Sequence, residues 1–77
     1  YTEVARNVQG AALGELGRDT EAELMLLQSY QSLASDEGAA AVTVEQALKR
    51  VIRFYQKRDN STKAEEYLAI HERDFGA

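Results

Sequence analysis

Cysteine, proline and tryptophan are all absent from this chain, and each absence removes a class of structure. Without cysteine there is no disulfide staple and no thiolate metal site. Without proline nothing breaks a helix from within, and with glycine at only five positions, long helices joined by short turns are expected. No apolar run approaches the ~18 residues needed to cross a bilayer. No basic stretch followed by an apolar one opens the chain as a secretory signal would. A cytoplasmic location is therefore expected. The chain begins at Tyr1, without Met and inside a helical pattern, and reads as a segment excised from a larger protein. Its 77 residues allow one domain at most. A chain this short buries only roughly 60% of its unfolded surface, so its stability margin is thin.

The net charge of −4 argues against nucleic acid as the general partner. The charge is unevenly spread, however. No acid falls between Glu45 and Asp59, whereas Lys49, Arg50, Arg53, Lys57 and Arg58 all lie there.

Hydrophobic spacing predicts four helices and no strand. The first covers residues 2–16, with Val4, Val8, Ala12 and Leu16 repeating at i, i+4 and Ala5 and Leu13 widening that inner stripe. Gly17 follows where a left-handed terminating residue is expected, and Asp19 is the expected N-cap of the next helix. That helix covers residues 20–35, with Ala22, Leu26, Ser29, Tyr30 and Leu33 inward and Met25 and Leu27 beside them. Asp36-Glu37-Gly38 breaks it. The third helix starts either at a capping box beginning at Thr43 or already within residues 39–42. Its inner face is Val44, Ala47, Leu48, Val51, Ile52 and Tyr55, and Asp59-Asn60 supplies the turn after it. Ser61 or Thr62 is the expected cap of the last helix, which carries Ala64, Tyr67, Leu68, His71 and Phe75 inward.

The two turns echo each other. Sliding the chain by 42 residues superposes Glu3 on Glu45, Ala5 on Ala47, Thr20 on Thr62, Ala22 on Ala64, Glu23 on Glu65 and Leu26 on Leu68. Six identities in 35 aligned positions is a low count, but they fall on turn and packing positions. A period of this size points to a repeat array, a class whose surfaces bind other molecules.

Small residue, large residue, turn residue, alanine and large residue recur as Gly10, Leu13, Gly17, Ala22 and Leu26, then as Ile52, Tyr55, Asp59, Ala64 and Leu68. This series resembles the tetratricopeptide repeat. The spacing is similar to that of the longer variant in kinesin light chains and in the C-terminal arrays of bacterial serine/threonine kinases. The resemblance implies an all-α, right-handed solenoid of helical hairpins, with repeat one over residues 1–38, repeat two over 39–77 and four antiparallel helices. Arg6, Ile52, Asp59 and the missing closing proline depart from the family pattern. The resemblance further implies a protein–protein interaction or scaffold module, whose first and third helices line a concave peptide groove. On that alignment Asn7 and Ala11, with Lys49, Arg50, Arg53 and Lys57, point into the groove. Asn7, Arg50 and Arg53 resemble parts of the family's carboxylate clamp without completing it.

Lys49, Arg53 and Lys57 share one helix face with Arg50 beside them, which suits a carboxylate, an acidic motif or a phosphate. The alternative is a solvated basic face beside acidic segments such as Glu65-Glu66. His71 is the sole histidine, without companions for a metal site, and reads as a histidine at the edge of the core. Ser29, Ser32, Ser35 and Ser61 are helix or cap residues with no nucleophile elbow around them. Asn60-Ser61-Thr62 spells a glycosylation sequon and equally a turn and cap. Glu21, Glu23, Glu65 and Glu66 complement helix dipoles. Tyr1, Tyr30, Tyr55 and Tyr67 sit at packing spacings. No enzymatic activity, cofactor, metal, nucleic acid or membrane contact is expected of the segment. The expected partner is a protein or peptide, an acidic one being favoured by the basic window, with neighbouring repeats or a second copy covering the exposed ends. A regulatory segment of a bacterial signalling protein such as a kinase, or a structural oligomerisation spacer, remains an alternative.

Overall fold

Gly17 and Asp59, 42 residues apart, both hold left-handed backbone, with φ of 80° and 55°. In the computed structural model, which describes residues 2–76, they end two helices in the same manner. Gly17 N–H donates to the Gly14 carbonyl (3.1 Å) and Arg18 N–H to that of Leu13 (3.0 Å). Asp59 N–H donates to Gln56 (3.2 Å) and Asn60 N–H to Tyr55 (3.0 Å), the same pair of bonds in the same register. Each pair satisfies carbonyls that the helix end leaves free. A Cβ on Gly17 would meet nothing within 4 Å, so its φ, and not its space, asks for glycine there.

The four helices are α1 (Glu3–Glu15), α2 (Asp19–Ser35), α3 (Ala41–Lys57) and α4 (Ser61–Phe75), and the described residues contain no strand. The chain is all-α, built as two helical hairpins. α1 packs on α2 and α3 on α4, while α3 also lies against both helices of the first hairpin. The slab is 14 Å thick, which matches two helix layers with axes about 8–10 Å apart.

The core forms where α2 and α3 meet. Ala22, Leu26, Tyr30 and Leu33 of α2 are buried against Ala47, Leu48, Val51, Ile52 and Tyr55 of α3, as their spacing predicts. Phe54 of α3 joins them, and Ile70 of α4 packs at the edge; neither is on the expected inner faces. The tyrosines run as a column between hairpins. Tyr55 stacks on Tyr67 at 5.8 Å and 14°, and Tyr67 meets Tyr30 edge-on at 6.3 Å. Tyr55 Oη also donates to Glu23 (2.7 Å), and burial, then this bond, pushes its hydroxyl pKa well up. Tyr1 lies outside the described residues.

Several expectations are corrected. Val4, Val8, Ala12 and Leu16 do share a face of α1, but that face is exposed, Leu16 by 75%. The buried side of α1 carries Asn7 and Gly10. The reason is steric: a Cβ at Gly10 would lie 3.1 Å from both the backbone nitrogen and Cγ of Leu26. α2 can approach this closely only along the face that lacks large side chains. Leu68 likewise is 39% exposed, although its counterpart Leu26 is only 1% exposed: α3 packs against the first hairpin, whereas no further helix follows the second among the described residues. Asp19 is not a cap but the first residue of α2, and Arg18 before it makes no side-chain cap bond. α3 starts at Ala41, the earlier of its two expected starts, and its Ala40 cap makes no side-chain bond either. Asn60, not Ser61 or Thr62, caps α4, its Oδ1 accepting from Lys63 N–H at 3.2 Å. The turn that ends α3 delivers Asn60 to that position first.

Gly10→Val should lower unfolding stability by about 1–3 kcal/mol through overpacking, read from urea denaturation, whereas Ala12→Val on the exposed face should stay within about 0.5 kcal/mol of the parent. Equal stability of the two variants would show that α1 and α2 can separate freely.

Candidate interaction groove

Cationic residues on α3 recur at three- and four-residue steps, so Lys49, Arg50, Arg53 and Lys57 come to one side of the helix. The fold then divides them by what each one meets. Arg50 reaches back to the first hairpin, Nη1 donating to Asn7 Oδ1 at 3.1 Å. Lys57 donates to Glu15 of α1. Lys49 has Glu45 at 3.8 Å, an acid that also lies 2.9 Å from His71 Nε2. Arg53 is exposed and has neither a hydrogen bond nor an ion pair among the described residues.

Asn7 is placed differently from the expectation. It is 0% exposed, so it presents nothing to a partner. Its Nδ2 donates to Ser29 Oγ (3.1 Å), and Ser29 in turn donates to the Met25 carbonyl (2.6 Å). A buried amide without partners is costly, and this one is satisfied on both sides. Asn7 therefore positions Arg50 instead of lining the groove. A sequence signal existed: Asn7 lies on the same side of α1 as Gly10 and Gly14, whose small size marks the closely packed face. Ala11, expected in the groove, does line it.

Arg58, outside the expected set, is tied into the base of the groove. Its Nη2 donates to the Gly14 carbonyl and to Asp19 (both 2.6 Å), Nη1 to the Phe54 carbonyl (3.3 Å), and its guanidinium sits 4.1 Å from the Phe54 ring centroid. These contacts bind the ends of α1 and α3 to the start of α2. They also use up Arg58, which leaves Arg50 and Arg53 as the cations still able to accept an anion.

Between α1 and α3 lies a hollow of about 300 Å³ with an apolar floor of Val8, Ala12 and Phe54 and a rim that includes Arg50 and Arg53. A second hollow of about 240 Å³ adjoins it, lined by Gln46, Lys49, Arg50 and Arg53. The two arginines thus border both. One wall of the groove, from α1, is largely apolar and the other, from α3, is cationic. Val8 and Ala12, from the face of α1 misplaced by periodicity, make the first wall together with Ala11.

His71 stands at the core edge, half-buried, between Glu45 and Phe75, whose ring lies 5.7 Å away. Among the described residues no group of three or more His, Asp or Glu comes together as a metal site. No described helix is long and apolar enough to cross a membrane.

Replacing Asn7 with Ala removes the bonds to Ser29 and Arg50 and should cost about 1–3 kcal/mol in unfolding stability. The double variant Asn7→Ala with Arg50→Ala should cost less than the sum of the single losses in a double-mutant cycle. Strict additivity would mean that the Asn7–Arg50 bond contributes nothing.

The chain matches no family model, no curated protein and no solved structure, so its function is read from these residues alone.

Proposed function

We propose that this chain is a protein-interaction module that binds an anionic segment of a partner protein in the groove between α1 and α3. The observation that carries the reading is Arg53, exposed on the rim and in no ion pair among the described residues, next to Arg50, whose only hydrogen bond among them goes to a neutral amide. Two guanidiniums outside any ion pair among the described residues, in a chain of net charge −4, are a local reversal of the molecule's own field. Such a patch attracts anions and sets partner choice more than overall affinity. The apolar floor of Val8, Ala12 and Phe54 adds a surface that gains from being covered. The reading of the two hairpins as tetratricopeptide-like repeats agrees with this use of the first and third helices. It is supported by the twin turns at Gly17 and Asp59 and by the seat of α3 against both α1 and α2.

The test is direct. Arg53→Glu, which disturbs no internal contact, should weaken binding of fluorescein-labelled hexaglutamate roughly fivefold or more at low salt, measured by fluorescence anisotropy. It should also flatten the salt dependence. Unchanged affinity would remove the groove from consideration.

A second reading, association through the ends of the slab, is favoured by Leu68, which is 39% exposed where its counterpart Leu26 is covered. Another repeat or a second copy of the chain would cover it. On this reading the chain sediments as a dimer at micromolar concentration and Leu68→Glu sediments as a monomer. A parent chain that is already monomeric there counts against self-association.

A further inference from the structure

The groove between α1 and α3 is lined by an acid of the chain itself. Among the described residues lining the hollow of about 300 Å³, Glu15 is the only carboxylate, set among Arg50, Arg53, Lys57 and Arg58. Its Oε1 accepts from Lys57 Nζ. The carboxyl is held below its usual pKa range first by this hydrogen bond and the charge of Lys57, then by Arg58 and Arg53.

Glu15 and Lys57 are also 42 residues apart, so they occupy the same position in the two hairpins with opposite charges. Their contact spans the groove from the apolar wall to the cationic one. The fold does not depend on it. The side chains are 64% and 49% exposed, and ion pairs in such surroundings contribute little to stability. α1 and α3 are already joined by the Asn7–Arg50 bond and by Arg58 on the Gly14 carbonyl. What the pair changes is the groove: it engages Lys57 and places a negative charge where a partner's anion would come to rest.

We infer that Glu15 is a resident counter-ion of the groove, which an anionic partner segment must displace from Lys57, and that it thereby sets the affinity threshold for that partner. A partner bearing one carboxylate merely exchanges with Glu15. A partner bearing several gains Lys57 together with Arg50 and Arg53, so the pair selects for dense negative charge. Once displaced, the exposed Glu15 side chain turns into water without a desolvation cost. The inference rests on the groove accepting anions, as proposed above.

The test compares binding of fluorescein-labelled hexaglutamate to the parent, Glu15→Gln and Glu66→Gln by fluorescence anisotropy at low ionic strength. Glu66 forms a similarly exposed pair with Lys63 on α4, a helix that does not touch α1, so its variant makes the same change in net charge away from the groove. Glu15→Gln should bind roughly threefold tighter or better, Glu66→Gln should match the parent, and added salt should narrow the difference. Equal affinity of Glu15→Gln and the parent, or an equal gain in both variants, overturns the inference while leaving the groove reading in place. Failure of all three proteins to bind hexaglutamate overturns both.

Discussion

Asn7 has no water to bond to, so its amide must find its partners inside the protein. Its nitrogen donates to Ser29 of α2 and its oxygen accepts from Arg50 of α3. One side chain of α1 thus ties together the three helices that make up the groove and most of the core. The requirement is directional as well as energetic, since an amide offers its donor and acceptor on different sides. Hydrophobic burial alone would tolerate α3 sliding or rolling on the first hairpin. The satisfied amide does not, and through it the position of Arg50 becomes a consequence of packing.

The same need for close approach shapes the outer surface. Gly10 lets α1 lie against Leu26, which turns the valines of α1 away from α2. α3, seated by Asn7 and Arg58, then brings its basic face alongside Val8 and Ala12. A groove with one apolar and one cationic wall follows from two packing constraints, neither of which involves a ligand. Within it Arg53 has no ion pair among the described residues, while Lys57 is occupied by Glu15. Cations that look alike in a string of letters have different partners in space, and so different capacities to bind anything.

Much of the fold was legible in the sequence because helical spacing and turn chemistry are local. The buried face of α2, residue by residue from Ala22 to Leu33, and that of α3 from Ala47 to Tyr55 follow from a 3.6-residue period beside a helix that is apolar on one side. Gly17 and Asp59 follow from the few residues that accept left-handed backbone. The face of α1 did not follow, because that helix has two candidate faces, one of large apolar residues and one of small ones. Periodicity favours the first, and close packing chose the second. Phe54 was missed because it lies beside the regular stripe of α3, in a position that becomes interior only when α1 packs there as well.

By itself the sequence determined the helices, the two turns that end α1 and α3, the all-α class and the basic window of α3. All of these depend on interactions between residues a few positions apart, whose geometry the backbone dictates. Only the tertiary structure decided that Asn7 is an interior strut and not a groove residue. It alone decided that Val8 and Ala12 of α1 form a wall, that Lys57 is held by Glu15, and that Arg53 has no ion pair among the described residues. Those outcomes depend on which faces meet across 22 to 44 residues of chain, as the Asn7–Ser29 and Arg58–Gly14 bonds do. The reason is that residue spacing places side chains on faces of a helix, but closeness of approach and the satisfaction of buried polar groups decide which face is turned inward.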